Sequence, residues 1–332
     1  MQCPNCEAVV QTDDRFCEEC GTPLVNAPVN VTENSTKLCN KCGAAPEAID
    51  ADGYCSVCGF KNERRQVRET DRMEVNLQPN FAGVSDRGLR HERNEDYLAC
   101  AVIESSNTYI AIACDGVSSS QFPELASKAA AEGARNGIFT ALQQHLAPET
   151  ALQHGIAAAL NEVCLIPHRS LNQDAPSTTI VAAVVQNAIA TIAWLGDSRA
   201  YWIDSRSDPF GNRENSQLLT RDDSWFNEIV TSGQMSAAEA SKSDKAHAIT
   251  RWLGVDAKND AIPSIVQFPI PGSGYLLLCT DGLWNYAPDA PQLADLVKGN
   301  ASEDAIGMAR HLVEFARSCG GRDNITVTLL VV

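Results

Sequence analysis

The sequence has few basic residues and no long apolar run, and both features limit what the protein can do. Its 332 residues include 42 acidic and 26 basic side chains, which gives a formal net charge of −16. Nucleic acids and anionic membranes attract basic surfaces, so we expect no general affinity for either. A membrane-spanning helix needs about 20 consecutive apolar residues, and the sequence offers neither such a run nor a signal-peptide core. We therefore expect a cytoplasmic globular protein.

Cysteine, by contrast, is abundant and unevenly distributed. Of the 13 cysteines, eight form four Cys-x-x-Cys pairs within the first 58 residues. Each pair can present two thiolates from one tight turn, and two pairs supply the four-sulfur shell that zinc prefers. Two structural zinc sites are therefore predicted, with free or redox-active thiols as the alternative. Their ligands would be Cys3, Cys6, Cys17 and Cys20 in one site, and Cys39, Cys42, Cys55 and Cys58 in the other.

These cysteine pairs resemble tandem zinc ribbons, and we assign residues 1–60 to a double zinc ribbon. A module of about 20 residues buries little surface, so metal binding would supply most of its folding free energy. The resemblance implies a docking module for proteins or for nucleic acids. Several acidic residues in the ribbons disfavour a phosphate backbone as ligand. Proteins are therefore the expected partners of the ribbons, with nucleic acid as the alternative.

The rest of the chain is predicted to be a charged linker at 61–76 and an α+β domain at 77–332. A basic patch for a partner is the alternative for the linker. Two helices, a run of strands, further helices and a closing strand fit a four-layer α/β/β/α sandwich of two antiparallel sheets flanked by helices. The predicted helices are 124–146, 149–163, 291–298 and 302–317. The predicted strands include 275–280, 324–332 and a three-stranded antiparallel meander at 178–185, 188–195 and 199–203.

Four aspartates stand where predicted strands begin or end, namely Asp96, Asp115, Asp281 and Asp323. Taken singly, each is better explained as a turn or cap residue than as a metal ligand. Together they predict a metal site, because carboxylates without nearby Cys or paired His favour magnesium or manganese. Two such ions can share a water, lower its pKa and direct it at a phosphate ester.

Six short motifs resemble, in order, those of the bacterial metal-dependent serine/threonine protein phosphatases of type 2C. The resemblance covers the chain from about Asn80 to the end and implies the four-layer fold of that family. It also implies hydrolysis of phosphoserine and phosphothreonine in proteins by a hydroxide that bridges two Mg²⁺ or Mn²⁺ ions. The motifs are Ser85–Asp96, Asp115-Gly-Val, Gly196–Tyr201, Leu219-Thr-Arg-Asp, Leu276–Trp284 and Asp323-Asn-Ile-Thr-Val.

The resemblance also assigns roles to individual residues. Asp115, Asp281 and Asp323 become the catalytic carboxylates, with Asp115 bridging the two ions. The Gly116 carbonyl is a further ligand, and a third, weaker ion is placed at Asp197, where a plain turn is the alternative. The remaining metal-site residues are Glu95 and Asp96, which hold the second ion and its waters.

The chain departs from the family at three places that bear on activity. His91 stands where the family carries a phosphate-binding arginine, so Arg90 or Arg93 is expected to bind phosphate beside it. Three serines, Ser118–Ser120, replace two glycines, and Asn285 replaces an aspartate. These changes leave a second hypothesis open, a pseudophosphatase that binds phosphoproteins as a scaffold. Residues 221–253 match the flap of bacterial relatives, with an ordinary surface loop as the alternative.

Overall fold

The computed structural model describes residues 2, 39, 44–50, 54–59, 71–168, 174–205, 215–257, 261–298 and 304–332. The chain divides into two compact units, Met1–Val67 and Arg68–Val332. In the first unit a short 3-10 helix spans Pro46–Ala48, and Ile49 forms an antiparallel bridge with Cys55. The predicted ligands Cys3, Cys6, Cys17, Cys20 and Cys42 lie outside the described residues.

The second unit contains two large antiparallel sheets. The first has six strands in the order β1-β2-β13-β12-β8-β9, and the second has five in the order β11-β7-β6-β4-β3. The first sheet comprises β1 (Arg72–Gln78), β2 (Phe81–Asp86), β8 (Arg199–Asp204), β9 (Gln217–Leu218), β12 (Gly274–Cys279) and β13 (Ile325–Val331). The second comprises β3 (Asp96–Ile103), β4 (Thr108–Asp115), β6 (Ile180–Gln186), β7 (Ile189–Leu195) and β11 (Ser264–Pro269). A short ladder joins β5 (Ser177–Thr178) to β10 (Leu253–Gly254).

Helices cover the outer faces of both sheets. The helices are α1 (Pro123–Gln143), α2 (Pro148–Cys164), α3 (Trp225–Thr231), α4 (Ala237–Ala240), α5 (Asp281–Trp284), α6 (Ala290–Lys298) and α7 (Ala305–Ser318). Residues of α1 and α2 share a buried cluster with the second sheet, and residues of α6 and α7 share one with the first. None of the described helices is long and apolar enough to cross a membrane.

A third buried cluster fills the space between the two sheets. Phe81 and Leu330 reach into it from the first sheet, and Leu98 and Ala111 reach into it from the second. Sheet residues therefore face a helix on one side and the opposite sheet on the other, which explains why their strands are apolar on both faces. The predicted four-layer α/β/β/α sandwich is confirmed.

Two details of the predicted organisation are wrong. The expected meander breaks after β7, because β7 pairs with β6 and β11 whereas β8 pairs with β12 and β9 in the other sheet. Gly196, at a φ of 101°, lets the chain leave one sheet and enter the other. The first sheet also begins at Arg72 rather than at 77, because 72–76 pair with β2 instead of continuing the linker.

Candidate active site

Asp96 and Asp115 lie side by side at one end of the second sheet. Asp96 is the first residue of β3 and Asp115 is the last of β4, and the antiparallel register pairs them directly. Asp96 is only 4% exposed, whereas the Asp115 residue is partly open to solvent. Neighbouring residues across antiparallel strands have their side chains close together. The register of one hairpin therefore places two carboxylates at the same spot.

The first sheet delivers two further carboxylates to this place. Asp281 begins α5 directly after β12, and Asp323 precedes β13, the antiparallel partner of β12. The hydroxyl of Thr280, the residue between β12 and Asp281, donates a hydrogen bond of 2.7 Å to Asp96 Oδ2. This bond joins the two sheets at the site, so the predicted Asp96, Asp115, Asp281 and Asp323 come from two layers to one cluster.

Burial and mutual repulsion raise the pKa values of these acids. Burial, opposed in part by the Thr280 hydrogen bond, raises the pKa of Asp96 to about 7. Burial and then the charges of four neighbouring aspartates raise the pKa of Asp115 well above its usual range. Burial and then the charge of Asp323 do the same to the pKa of Asp281. A cation at the cluster would relieve this repulsion.

The residues present fit divalent cations. Asp96 Oδ1 is buried and has no hydrogen-bond partner among the described residues, so one ligand position is left open in a polar site. The surrounding groups are carboxylates, the hard oxygen ligands that Mg²⁺ and Mn²⁺ prefer. In the described part of the chain, no three carboxylate groups converge to within 4.8 Å. Ions held partly through water do not require closer convergence.

Gly116 lies directly after Asp115 at a point where a side chain does not fit. Its N–H donates a 3.1 Å hydrogen bond to the Glu95 carbonyl. A Cβ added to Gly116 would lie 2.8 Å from that same oxygen and closer still to the Pro123 carbonyl. The backbone of the predicted metal-binding carbonyl is therefore packed against the start of α1 and against the loop before β3.

Glu95 is held by three separate contacts. Its N–H donates to Asn324 Oδ1 at 2.7 Å. Arg93 Nε donates to Glu95 Oε1 at 2.9 Å, and Ser118 Oγ donates to Glu95 Oε2 at 2.6 Å. The first of the three unusual serines therefore orients a predicted metal-site residue. Phe122 is the one non-glycine residue with positive φ in the described segment 116–123, so the serines replace the glycines of the family without backbone strain.

The three candidate phosphate-binding residues have different environments. Arg90 is exposed and forms no ion pair with any described residue. His91 Nε2 lies 3.2 Å from Asp323 Oδ1, which places its imidazole at the carboxylate cluster. Arg93 pairs with Glu95 at 2.9 Å and with Glu124 at 3.3 Å. Arg90 and His91 are thus more available to a phosphate than Arg93.

Asp197 lies in the turn between β7 and β8. Burial and then the charge of Asp222 raise its pKa to about 7. Trp284 Nε1 donates a 2.9 Å hydrogen bond to the Asp197 carbonyl, which ties this turn to α5. The neutral Asn285, the residue after α5, donates to Asp281 Oδ2 at 3.2 Å. The predicted third-ion carboxylate is therefore linked to the helix that carries Asp281.

Two ion pairs hold residues 221–253 beside this turn, and the sequence analysis assigned no role to the residues that form them. Arg199 forms a two-point pair with Asp222 at 2.9 and 2.7 Å, and its guanidinium lies 3.8 Å from the Trp284 ring centre. Asp223 pairs with Arg251 at 3.1 Å and accepts a bond from the Gly196 N–H. Asp222 is the last residue of the motif Leu219-Thr-Arg-Asp and Asp223 follows it, so an acidic pair at the end of a motif was the available signal.

In the first unit, three of the predicted zinc ligands lie together. The Sγ atoms of Cys39, Cys55 and Cys58 are within 4.8 Å of one another, and those of Cys39 and Cys58 are 3.7 Å apart. Sulfurs around a tetrahedral zinc with bonds of about 2.3 Å would be separated by about 3.8 Å. The arrangement of these three thiols fits a zinc ion with Cys42 as the predicted fourth ligand.

Comparison with known proteins agrees with this geometry. Residues 87–317 match the family model described as Protein phosphatase 2C, and residues 3–59 match the one described as Double zinc ribbon. The serine/threonine phosphatase stp of Listeria innocua is 30% identical over 249 residues, which cover 74% of this chain and 93% of that protein. The crystal structure of the serine/threonine phosphatase Stp1 from Staphylococcus aureus is similar at a TM-score of 0.64 and 26% identity, covering 78% of this chain and 97% of that one.

A four-layer sandwich with a carboxylate cluster between the ends of its sheets is the architecture of a class of metal-dependent phosphatases. The chain belongs to the protein phosphatase 2C family of serine/threonine protein phosphatases, and it carries a double zinc ribbon before the phosphatase domain. The family predicted from the six sequence motifs is confirmed.

Proposed function

We propose that the protein hydrolyses phosphoserine and phosphothreonine in other proteins at the Asp96, Asp115, Asp281 and Asp323 cluster. The observation that supports this is the meeting of carboxylates from both sheets beside a buried, unpartnered oxygen of Asp96. Two Mg²⁺ or Mn²⁺ ions, when bound there, would lower the pKa of a shared water to give a bridging hydroxide and would neutralise the phosphoryl oxygens.

The chain's own residues orient and hold the participants. Two ions, when bound, would be held by the carboxylates of Asp115, Asp281 and Asp323 and by the Gly116 carbonyl. Thr280 fixes Asp96 through its 2.7 Å bond, and Ser118 and Arg93 fix Glu95. These fixed carboxylates need little reorganisation when the reaction develops charge.

The substrate phosphate is proposed to meet Arg90 and His91. Arg90 is free of other ion pairs in the described structure, and its planar guanidinium suits two-point contact with phosphate oxygens. His91 lies at the carboxylate cluster through its contact with Asp323. Arg93 would act mainly on Glu95, because two carboxylates already occupy its guanidinium.

A third ion at Asp197 is proposed as weaker than the other two. Its support is the raised pKa of Asp197, caused by burial and by Asp222, which a nearby cation would offset. Asn285 contributes no charge there and donates to Asp281 instead. Position 285 therefore supplies no additional carboxylate for a third ion.

The zinc ribbons are proposed to bind two structural zinc ions and to dock phosphorylated proteins or a Ser/Thr kinase. The net charge of −16 disfavours nucleic acid as the partner. We expect removal of the ribbons to change the choice of protein substrates and to leave the hydrolysis rate of a small aryl phosphate unchanged. Loss of both activities on removal of zinc alone would contradict this division of labour.

The test of the catalytic proposal is manganese-dependent hydrolysis of a phosphothreonine peptide by the full chain and by Asp115→Asn. We expect at least a hundredfold lower kcat in the variant, because one bridging carboxylate is replaced by a neutral, poorer ligand. Equal rates for both proteins would refute catalysis at this cluster. Absence of phosphate release from both proteins would leave the scaffold hypothesis, which predicts peptide binding without hydrolysis.

A further inference from the structure

Arg87 is the first residue of the loop that carries the proposed phosphate-binding residues. This loop, residues 87–95, connects β2 to β3 and contains Arg90 and His91. Arg87 Nη1 donates a 2.7 Å hydrogen bond to the His91 carbonyl. Its side chain is only 16% exposed although it carries a full charge. A guanidinium kept from water in this way needs specific partners, so its position is well defined.

The partner of Arg87 comes from the beginning of the phosphatase domain. Asp71 Oδ2 lies 3.4 Å from Arg87 Nε, and its side chain is 9% exposed. The Asp71 carbonyl also accepts a 2.8 Å hydrogen bond from the Arg87 N–H. The Arg87 backbone is therefore hydrogen-bonded to Asp71, the residue immediately before β1. Its guanidinium forms an ion pair with the Asp71 carboxylate, in which Nε makes no hydrogen bond to a described residue.

The other side of the loop is held by Asn324, which follows Asp323. Asn324 Nδ2 donates to the Arg87 carbonyl at 2.8 Å and to the Arg93 carbonyl at 3.0 Å. Asn324 thus fixes the two ends of the loop. Nearer the centre, the Leu89 N–H donates a 2.8 Å hydrogen bond to the Gly321 carbonyl, and the Arg87 guanidinium adds its bond to the His91 carbonyl.

We infer that Arg87, braced by Asp71, is a positioning residue that sets the His91 imidazole against Asp323 and presents Arg90 beside it to substrate phosphate. The inference rests on the proposed function of this site and identifies how the loop is kept in shape. Arg87 does not touch the reacting atoms. It acts through the His91 carbonyl, so its loss should weaken phosphate binding more than it slows turnover.

The first test is a comparison of Arg87→Gln, Arg87→Lys and Asp71→Asn in the full chain with manganese and a phosphothreonine peptide. Loss of a buried charge-assisted hydrogen bond should weaken phosphate binding about tenfold. We expect Arg87→Gln to raise KM, and the inhibition constant of inorganic phosphate, about tenfold, with kcat changed less than about threefold. Arg87→Lys should recover part of the loss, and Asp71→Asn should cause a smaller loss of the same kind.

Arg310→Gln is the matched control, because Arg310 of α7 forms a more exposed ion pair with Glu74 of β1, the strand that follows Asp71. It should leave KM and kcat unchanged. If Arg87→Gln lowers the melting temperature but leaves KM and phosphate inhibition at the wild-type values, Arg87 is only structural and the inference fails. If the wild-type protein itself releases no phosphate, the proposed function fails instead.

A double-mutant cycle with His91→Ala tests whether Arg87 acts through His91. We expect the tenfold effect of Arg87→Gln to shrink to less than about threefold when His91 is already absent. Independent multiplication of the two effects would overturn the inference. Hydrogen exchange of metal-free protein gives a readout without catalysis: amides of residues 89–93 should exchange faster in Arg87→Gln but not in Arg310→Gln.

Discussion

Replacing Asp115 by asparagine should stabilise the metal-free protein while removing its response to manganese. Burial raises the pKa of the Asp115 carboxyl group most, and the negative charges of four aspartates raise it further. These aspartates are Asp96, Asp281, Asp323 and Asp197. The Asp115 backbone forms hydrogen bonds with Thr178 and Thr179. Asparagine keeps these bonds and removes one negative charge, so repulsion is relieved without loss of the local contacts.

The size of the effect can be scaled from the neighbouring carboxylate. The pKa of Asp96 rises from 3.8 to about 7, and one pKa unit corresponds to about 1.4 kcal/mol. Keeping such a group ionised at pH 7 therefore costs about 4 kcal/mol. Because proton uptake and solvent in the cleft reduce the cost, we expect Asp115→Asn to gain about 2 kcal/mol, or roughly 4 to 8 °C in melting temperature.

The expected pH dependence has a definite sign. A carboxyl whose folded-state pKa is raised binds more protons in the folded protein than in the unfolded one. Its destabilising effect is absent below the unfolded-state pKa and grows as the pH rises. The stability advantage of Asp115→Asn over the wild type should therefore increase from acidic to neutral pH.

Thermal and urea unfolding in EDTA, and then in manganese, provide the assay. Ligand at a hundredfold excess over its Kd stabilises a folded protein by about 2.7 kcal/mol, so the wild type should overtake the variant when manganese is added. Asp244→Asn removes the same charge at an exposed flap position and serves as the control. If metal-free Asp115→Asn were less stable than both the wild type and this control, the carboxylates would not repel one another as we infer.

Three further perturbations have specific expected outcomes. Asp197→Asn should require more manganese for half-maximal activity but approach the wild-type rate at high manganese, as a metal titration would show; an unchanged titration would argue against a third ion. Ser118→Ala should lower the unfolding free energy by about 1 kcal/mol and reduce kcat several-fold, because Glu95 loses its 2.6 Å donor; identical kinetics would leave the serine without a catalytic influence. Cys55→Ser should reduce bound zinc from two ions to one by elemental analysis, with hydrolysis of a small aryl phosphate within about twofold of wild type; retention of both ions would contradict the ligand assignment.

Much of the local organisation is encoded in short stretches of sequence. Helix α2 begins at Pro148, one residue before the predicted start at 149, and Asp115 is the last residue of a strand, β4. Asp-Gly at the end of an apolar run marks a strand end because burial and turn formation depend on neighbouring residues. The candidate carboxylates could therefore be named from their positions along the chain.

The partners of those strands depend on residues far apart in sequence. The residues after Gly196 have the pattern of a strand, but the neighbouring sequence does not indicate that this strand pairs with β12 rather than with β7. Strand β1 looked like linker because its exposed, charged residues obscure a pairing with β2 that only the assembled sheet supplies. Sheet membership follows from the packing of whole layers, so periodicity alone could not decide it.

The sequence alone determined the chemical inventory of the protein: four strand-end aspartates, eight paired cysteines, and a histidine in place of an arginine. The contacts of these groups depend on the tertiary structure. It placed His91 against Asp323, Ser118 against Glu95, and Arg87 between Asp71 and the loop it supports. The reason is physical: residue types and strand ends are set by neighbours in the chain, whereas contacts between side chains are set by how two sheets stack.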